Sequence, residues 1–280
     1  MVLITGHRGR LGTRIARYLA EAGHAVRGFD LAESGDVRDA DAVLAAARGV
    51  DAIVHIAGIA GDRAAAPAGI MAANLLGTWN VLLAAQSNSV PRVVYFSSGK
   101  ALGMLERDPQ YLPVDDDHPG RPSLPYALSK WLAEEMCQAF SERTGVDTYC
   151  LRPVQVFDAA TYAQAGASPE WRPDATGCWH MGVHVDVRDV AAAAAAALTC
   201  QVRGHHRLLL CASDIAARRP TLELVSQWLP NVDWRGGNEY VADPYRALVD
   251  TSRARRVLGW TPHHRWPGRA SDVASEVLAE

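Results

Sequence analysis

The chain opens Val2-Leu3-Ile4-Thr5-Gly6-His7-Arg8-Gly9-Arg10-Leu11-Gly12, and this stretch decides the fold. A short apolar run stops at Thr5-Gly6. A turn with glycines at its first, fourth and seventh positions follows, and then Leu11, Ile15 and Leu19 recur at helical spacing. The pattern is strand, glycine loop, helix. Such a loop turns tightly, lets a phosphate approach the backbone, and places it at a helix N-terminus where free N–H groups and the positive dipole end favour an anion. The glycine spacing gains its meaning from the strand before it and the helix after it.

Outward from this loop the alternation continues. Ala25 to Phe29 reads as a second strand closed by Asp30, 40–48 as an Ala-rich helix, and 52–57 as a third strand ending at Gly58. A helix around 68–89, a strand at 92–96, a Pro-rich stretch at 109–125, a helix from Tyr126 to Thr144 and a strand at 148–151 follow. Strands alternating with helices predict right-handed βαβ units and a parallel sheet buried on both faces. The regularity then fades through 158–182, which reads as a substrate-side excursion. An extended piece at 183–187, a helix over the seven alanines 191–197 and a strand at 208–211 complete the pattern.

At 280 residues the chain suffices for one large α/β domain with or without an appendage. A net charge of −3 offers no electrostatic case for nucleic acid or an anionic membrane, which leaves a small molecule as the expected partner. The first residues lack the basic and long apolar segments of a secretory signal, and no apolar run is expected to span a bilayer. The five cysteines (137, 150, 178, 200, 211) are scattered without a Cys-x-x-Cys pair, against a disulfide framework or a zinc site. These features predict a cytoplasmic protein without a metal.

Of the 28 basic residues only Lys100 and Lys130 are lysine. A bias that strong replaces lysine wherever any cation suffices, so the two survivors mark places where a compact charge or a tunable amine is needed. Lys130 stands four residues after Tyr126, on the same helix face. An ammonium beside a phenol stabilises phenolate and is expected to lower its pKa from about 10, making the tyrosine a general acid/base. Ser98, at the end of the strand 92–96, is placed to hydrogen-bond the reacting oxygen. Asp30, 18 residues after Gly12, suits the 2′-hydroxyl of an adenosine ribose and repels a 2′-phosphate. That favours NAD, while Arg8 and Arg27, each within reach of a 2′-phosphate, keep NADP open.

Taken together these residues resemble the extended short-chain dehydrogenase/reductases of the NAD-dependent epimerase/dehydratase family. The resemblance runs through TGxxGxxG at 5–12, Asp36-Val37, His55-Ile56-Ala57, Asn74-Leu75-Leu76-Gly77-Thr78, Ser97-Ser98 through Gly103, and Tyr126-Ala127-Leu128-Ser129-Lys130. Further on it includes Leu151-Arg152-Pro153, His184-Val185-Asp186, Asp250-Thr251-Ser252 and Leu258-Gly259-Trp260-Thr261-Pro262. It implies an α/β, Rossmann-type doubly wound parallel sheet over residues 1–155, with a mainly substrate-binding region over 156–280 whose segments partly return to the core. It implies Ser98, Tyr126 and Lys130 as catalytic residues. The dinucleotide would lie on Gly6, Arg8, Gly9, Arg10, Leu11, Gly12, Asp30, Asp36, Val37, Ile56, Ala57, Gly58, Asn74, Ser97, Pro153 and Val156, besides Tyr126 and Lys130.

Ser98, Gly99, Lys100 and His180 are the candidate substrate contacts, with a pocket over 100–125 and 158–185; Arg152, Arg188 and Arg235 are candidates for holding phosphates. Asp186 reads as a helix cap. The implied activity is hydride transfer at a hydroxyl of a sugar-like molecule, ending either as a dehydrogenase or as an epimerase with retained NAD. Dehydration ranks low because Ser98-Gly99-Lys100 lacks the Asp-Glu pair that family dehydratases carry there. A non-catalytic dinucleotide sensor is the reading from another class. The helices around 68–89 and 126–144 stand in the order of a family dimer interface, so a homodimer is expected.

Overall fold

The computed structural model describes residues 1–103, 106–167 and 181–267. Six parallel strands form the central sheet: β1 (Val2–Thr5), β2 (Val26–Phe29), β3 (Ala52–His55), β4 (Arg92–Phe96), β5 (Asp147–Pro153) and β6 (His205–Leu210), in the spatial order β2-β1-β3-β4-β5-β6. The order reverses between β1 and β3, and this switch point opens a crevice at the carboxyl ends of the strands. β2 stands at the edge. A doubly wound sheet of order 3-2-1-4-5-6 carries one more strand outside it; here the tight turn 30–35 carries the chain from β2 directly to Asp36. The amide of Gly35 closes that turn on Asp30 O at 2.8 Å.

Successive residues of a buried strand point to opposite faces, and the helices divide accordingly. Val2 and Ile4 of β1, with Val94, Tyr149 and Leu208, pack against α1 (Arg10–Glu21) and the Ala-rich helix Val187–Thr199. Leu3, Ile53, Val93 and Tyr95 pack on the other face against Ala40–Ala46, Pro67–Ser87 and Pro125–Thr144. A third apolar cluster, including Leu112, Val114, Ile215 and Leu248, lies beyond the sheet and ties 102–114 to 181–249.

Most of the expected elements stand where the periodicity placed them, with three differences. The helix Pro67–Ser87 reaches 21 residues and is apolar enough to cross a membrane by length and composition, contrary to expectation; half of its most apolar window is buried inside the fold, where it is a core helix. Its turn at Ala72–Leu76 is a π-helix, which periodicity does not reveal. The excursion after 158 begins with a helix, Ala159–Ala167. His180, Trp171 and Trp179 lie outside the described residues.

Candidate active site

The glycine loop is shaped by contacts that admit no side chain. A Cβ on Gly12 would meet Gly6 O at 2.0 Å, and one on Gly6, at φ +76°, would meet the Ala57 amide nitrogen at 2.6 Å. Gly9 caps α1 without a side chain, and the first turn of that helix holds no acidic residue. A Cβ there would have only Gly6 O within 4 Å, so the backbone lies open. Uncapped helix N–H groups beside an open glycine suit a pyrophosphate.

The loop forms one end of a cleft of about 980 Å³ lined by residues 6, 8–12, 30–32, 35–38, 56–61, 96–100, 126, 130, 153–156, 158 and neighbours. Every expected cofactor-side residue except Asn74 lies on its wall. Asn74 stands behind the wall, 1% exposed. Its Oδ1 accepts the Ile59 amide at 2.8 Å, and its Nδ2 donates to Ile59 O at 3.1 Å and to Ser129 Oγ at 2.9 Å. The π-turn thus braces the loop after β3 against the helix that carries Tyr126.

His55 does similar work between β1 and the helix Pro67–Ser87. Thr78 donates its hydroxyl proton to Asn74 O at 2.6 Å, which assigns Nε2–H of His55 as donor to Thr78 Oγ1 and leaves Nδ1 to accept from Thr5. Burial pushes this imidazole down to about 3, with the Lys130 charge adding to the effect, so it is neutral and structural.

Tyr126, Lys130 and Ser98 meet at the far end of the cleft. Ser98 also caps the short turn after β4, accepting from Lys100 N at 3.2 Å. Asp62 Oδ1 accepts the Tyr126 amide at 2.7 Å and so caps the helix Pro125–Thr144 from the loop after β3. The pairing of Tyr126 with Lys130 differs from expectation in one respect. Lys130 Nζ donates to Phe96 O at 2.7 Å and lies 4.8 Å from the centroid of the Tyr95 ring, rather than against the phenol. Burial therefore raises the phenol above its ordinary value; contact with the Ser98 hydroxyl opposes this, and the Asp62 charge adds to it. Lys130 itself is pushed down to about 8 by burial, against the charge of Glu134.

A family model, the NAD dependent epimerase/dehydratase family, matches residues 2–168. The chain belongs to that family. Uronate dehydrogenase of Pseudomonas syringae pv. tomato is 31% identical over 163 residues, 54% of this chain and 58% of that protein, so the matched segment spans little more than half of this curated relative. UDP-glucose 4-epimerase of Rhizobium leguminosarum bv. trifolii is 24% identical over 94% of this chain and 93% of its own length. Among solved structures, a short-chain dehydrogenase/reductase superfamily protein from Agrobacterium tumefaciens with bound NAD superposes at TM-score 0.73, with 25% identity over 95% of this chain and 93% of that one.

Within this family member the arginines proposed for phosphates are otherwise engaged. Arg152 is 1% exposed and is held by Glu134, so it does not reach the cleft. Arg188 grips Asp186 at 2.9 Å, and Arg235 lies 3.6 Å from the Tyr111 ring centroid beside Asp233. Asp186 caps the helix Val187–Thr199 through the Arg188 amide, as expected. Of the expected pocket segments, only Lys100, Asp158 and Val183 reach the cleft among the described residues. Sequence reasoning passed over Asp62, Glu33 and Glu134. The last had a signal, standing four residues after Lys130 on the same helix face; the other two partner residues remote in sequence or carry no motif. Among the described residues no cluster of three or more potential metal ligands occurs.

Proposed function

We propose that the chain is an NAD-dependent oxidoreductase acting by hydride transfer on a hydroxyl of a sugar or sugar-like small molecule. The observation that carries this reading is one cleft with an uncapped glycine-loop helix at one end and Ser98, Tyr126 and Lys130 at the other. In this reading the loop 6–12 holds the pyrophosphate, and Asp30, Asp36 and Val37 border the adenosine. Ile56, Ala57, Gly58, Ser97, Pro153 and Val156 line the way to the nicotinamide end, with Asn74 supporting them. NAD, when bound, supplies the hydride acceptor.

The chain's own groups handle the proton. Ser98 Oγ holds the substrate oxygen, and Tyr126 Oη takes its proton during oxidation or returns one during reduction. Lys130, kept charged by Glu134 against burial, contributes the positive field beneath them. Lys100 Nζ sits 5.7 Å from the Tyr126 ring centroid and has no ion-pair partner among the described residues. We assign it to an acidic group of the substrate, in keeping with the sugar-acid substrate in the name of the relative from Pseudomonas syringae.

The epimerase alternative draws support from the relative aligned along nearly the whole chain. Nucleotide released by denaturing the purified protein separates the two. Near-stoichiometric NAD or NADH indicates the internal redox cycle of an epimerase, and an empty protein that binds NAD reversibly and reduces it with a uronate indicates the dehydrogenase. A protein that binds neither NAD nor NADP overturns both.

We further propose a cytoplasmic homodimer. Cys137, Cys150, Cys200 and Cys211 are buried free thiols, which suits a reducing compartment. Leu76, Trp79 and Leu83 are exposed at helical spacing on one side of Pro67–Ser87, an apolar stripe suited to a twin helix. Light scattering at micromolar concentration tests the dimer, and a monomeric mass overturns it. The segments of 156–280 outside the sheet layers are proposed as the substrate-binding part.

A further inference from the structure

The adenosine end of the cleft is crowded with arginine, yet its cations are paired within the chain. Arg10 faces Asp158 at 3.6 Å, and Arg38 grips Asp36, with Nη2 to Oδ2 at 2.6 Å. Arg27 points its guanidinium to the carbonyls of Ala46 and Arg48, at 2.9 and 2.6 Å, and so is withdrawn from the ribose site. Arg8, the glycine-loop residue suited to a 2′-phosphate, has its guanidinium on Glu33, with Nε and Nη2 at 2.7 and 2.5 Å from Oε1. The second oxygen of Glu33 faces His7 Nε2 at 3.3 Å.

Glu33 is fixed in place by the short turn that follows β2. Asp30 caps this turn by accepting the Ala32 amide at 3.0 Å, and its other oxygen accepts the Arg8 amide at 2.9 Å. Each carboxylate oxygen keeps capacity for a ribose hydroxyl. Glu33 N closes on Asp30 O at 2.9 Å. Asp30 and Arg8 line the cleft where the ribose would lie and Glu33 sits against Arg8, so two carboxylates and one guanidinium leave a net negative charge beside that place. A 2′-phosphate would meet both repulsion and a guanidinium already engaged.

We propose that Glu33 is a cofactor-specificity residue: it holds Arg8 and adds a second negative charge, so that a loop carrying a phosphate-binding arginine nevertheless selects NAD over NADP. The inference rests on the NAD reading above and goes beyond it by locating the discrimination outside Asp30. The Arg8–Glu33 pair is largely exposed, at 61% and 44% of the side chains. Its loss is therefore of small consequence for folding, and the effect should appear in binding.

The test measures Kd for NADH and NADPH by fluorescence titration of the intact protein, in wild type, Glu33→Ala, Glu33→Gln and Glu33→Ala/Arg8→Ala. The wild type is expected to favour NADH. In Glu33→Ala the affinity ratio should move toward NADPH by about tenfold or more, with a smaller move in Glu33→Gln, whose amide still accepts from Arg8. The double variant should lose the gain, because Arg8 is what the phosphate acquires. A ratio unchanged within about twofold in folded Glu33→Ala, or a gain that survives removal of Arg8, overturns the proposal. A wild type that binds neither dinucleotide overturns the NAD reading itself, a result distinct from either.

Discussion

Arg152 closes a fork on Glu134 inside the molecule, Nε to Oε1 at 2.9 Å and Nη2 to Oε2 at 2.6 Å, with both side chains essentially inaccessible to water. Glu134 also accepts from the Ser97 hydroxyl, next to Ser98, and lies one helical turn after Lys130. Its carboxylate thus links the end of β4, the helix of Tyr126 and β5. Removing Arg152 takes away the fork that holds Glu134 and leaves that buried carboxylate with Arg207 Nε at 3.6 Å as its remaining guanidinium contact. Arg152→Met is expected to cost roughly 3–5 kcal/mol and lower Tm by on the order of 10 °C, whereas Glu134→Met/Arg152→Met recovers much of the loss. Thermal unfolding followed by circular dichroism checks this, and a double variant no more stable than the single one counts against it.

Tyr126→Phe removes the proton carrier and leaves the ring, whose packing buries it to 9% exposure. Turnover should fall by roughly 10²–10⁴ while NADH affinity stays near that of wild type. A variant that turns over at the wild-type rate would instead fit the sensor reading.

Lys100→Met keeps the length of the side chain and removes the charge beside Tyr126. With a uronate as substrate, KM should rise roughly tenfold, the scale of one lost hydrogen bond to a charged group. A neutral sugar alcohol or aldose, tested alongside, should be affected far less. Equal losses on both substrates would contradict the role in holding an acid.

Asp116 offers a test in pH. Burial pushes its carboxyl up to about 7, while Arg152 and Arg253 pull the other way. The folded state therefore binds this proton more tightly than the unfolded chain, whose aspartate titrates at about 3.9. Its contribution to stability is fully present below that unfolded value and is lost as pH rises through about 7. Asp116→Asn mimics the protonated form, so its Tm relative to wild type should improve between pH 5 and pH 8. A difference that stays constant across that range would refute the assignment.

The strand–glycine loop–helix opening, the alternation that builds a parallel sheet, and the placing of Tyr126 and Lys130 on one helix were all legible in the sequence. Each depends on residues a few positions apart, and backbone periodicity alone sets which face they share. The cleft wall was legible for the same reason, since loops at the carboxyl ends of parallel strands converge at a switch point. What the tertiary structure decided is which partner each charged or polar group takes. Lys130 reaches the carbonyl of Phe96 rather than the phenol; Asp62, 64 residues before Tyr126, caps its helix; Arg152 turns inward to Glu134; and Glu33 occupies Arg8. A guanidinium or carboxylate can satisfy itself with any complementary group that packing brings within about 3 Å. Local sequence determines that such a group must be satisfied, and only the folded chain determines by whom.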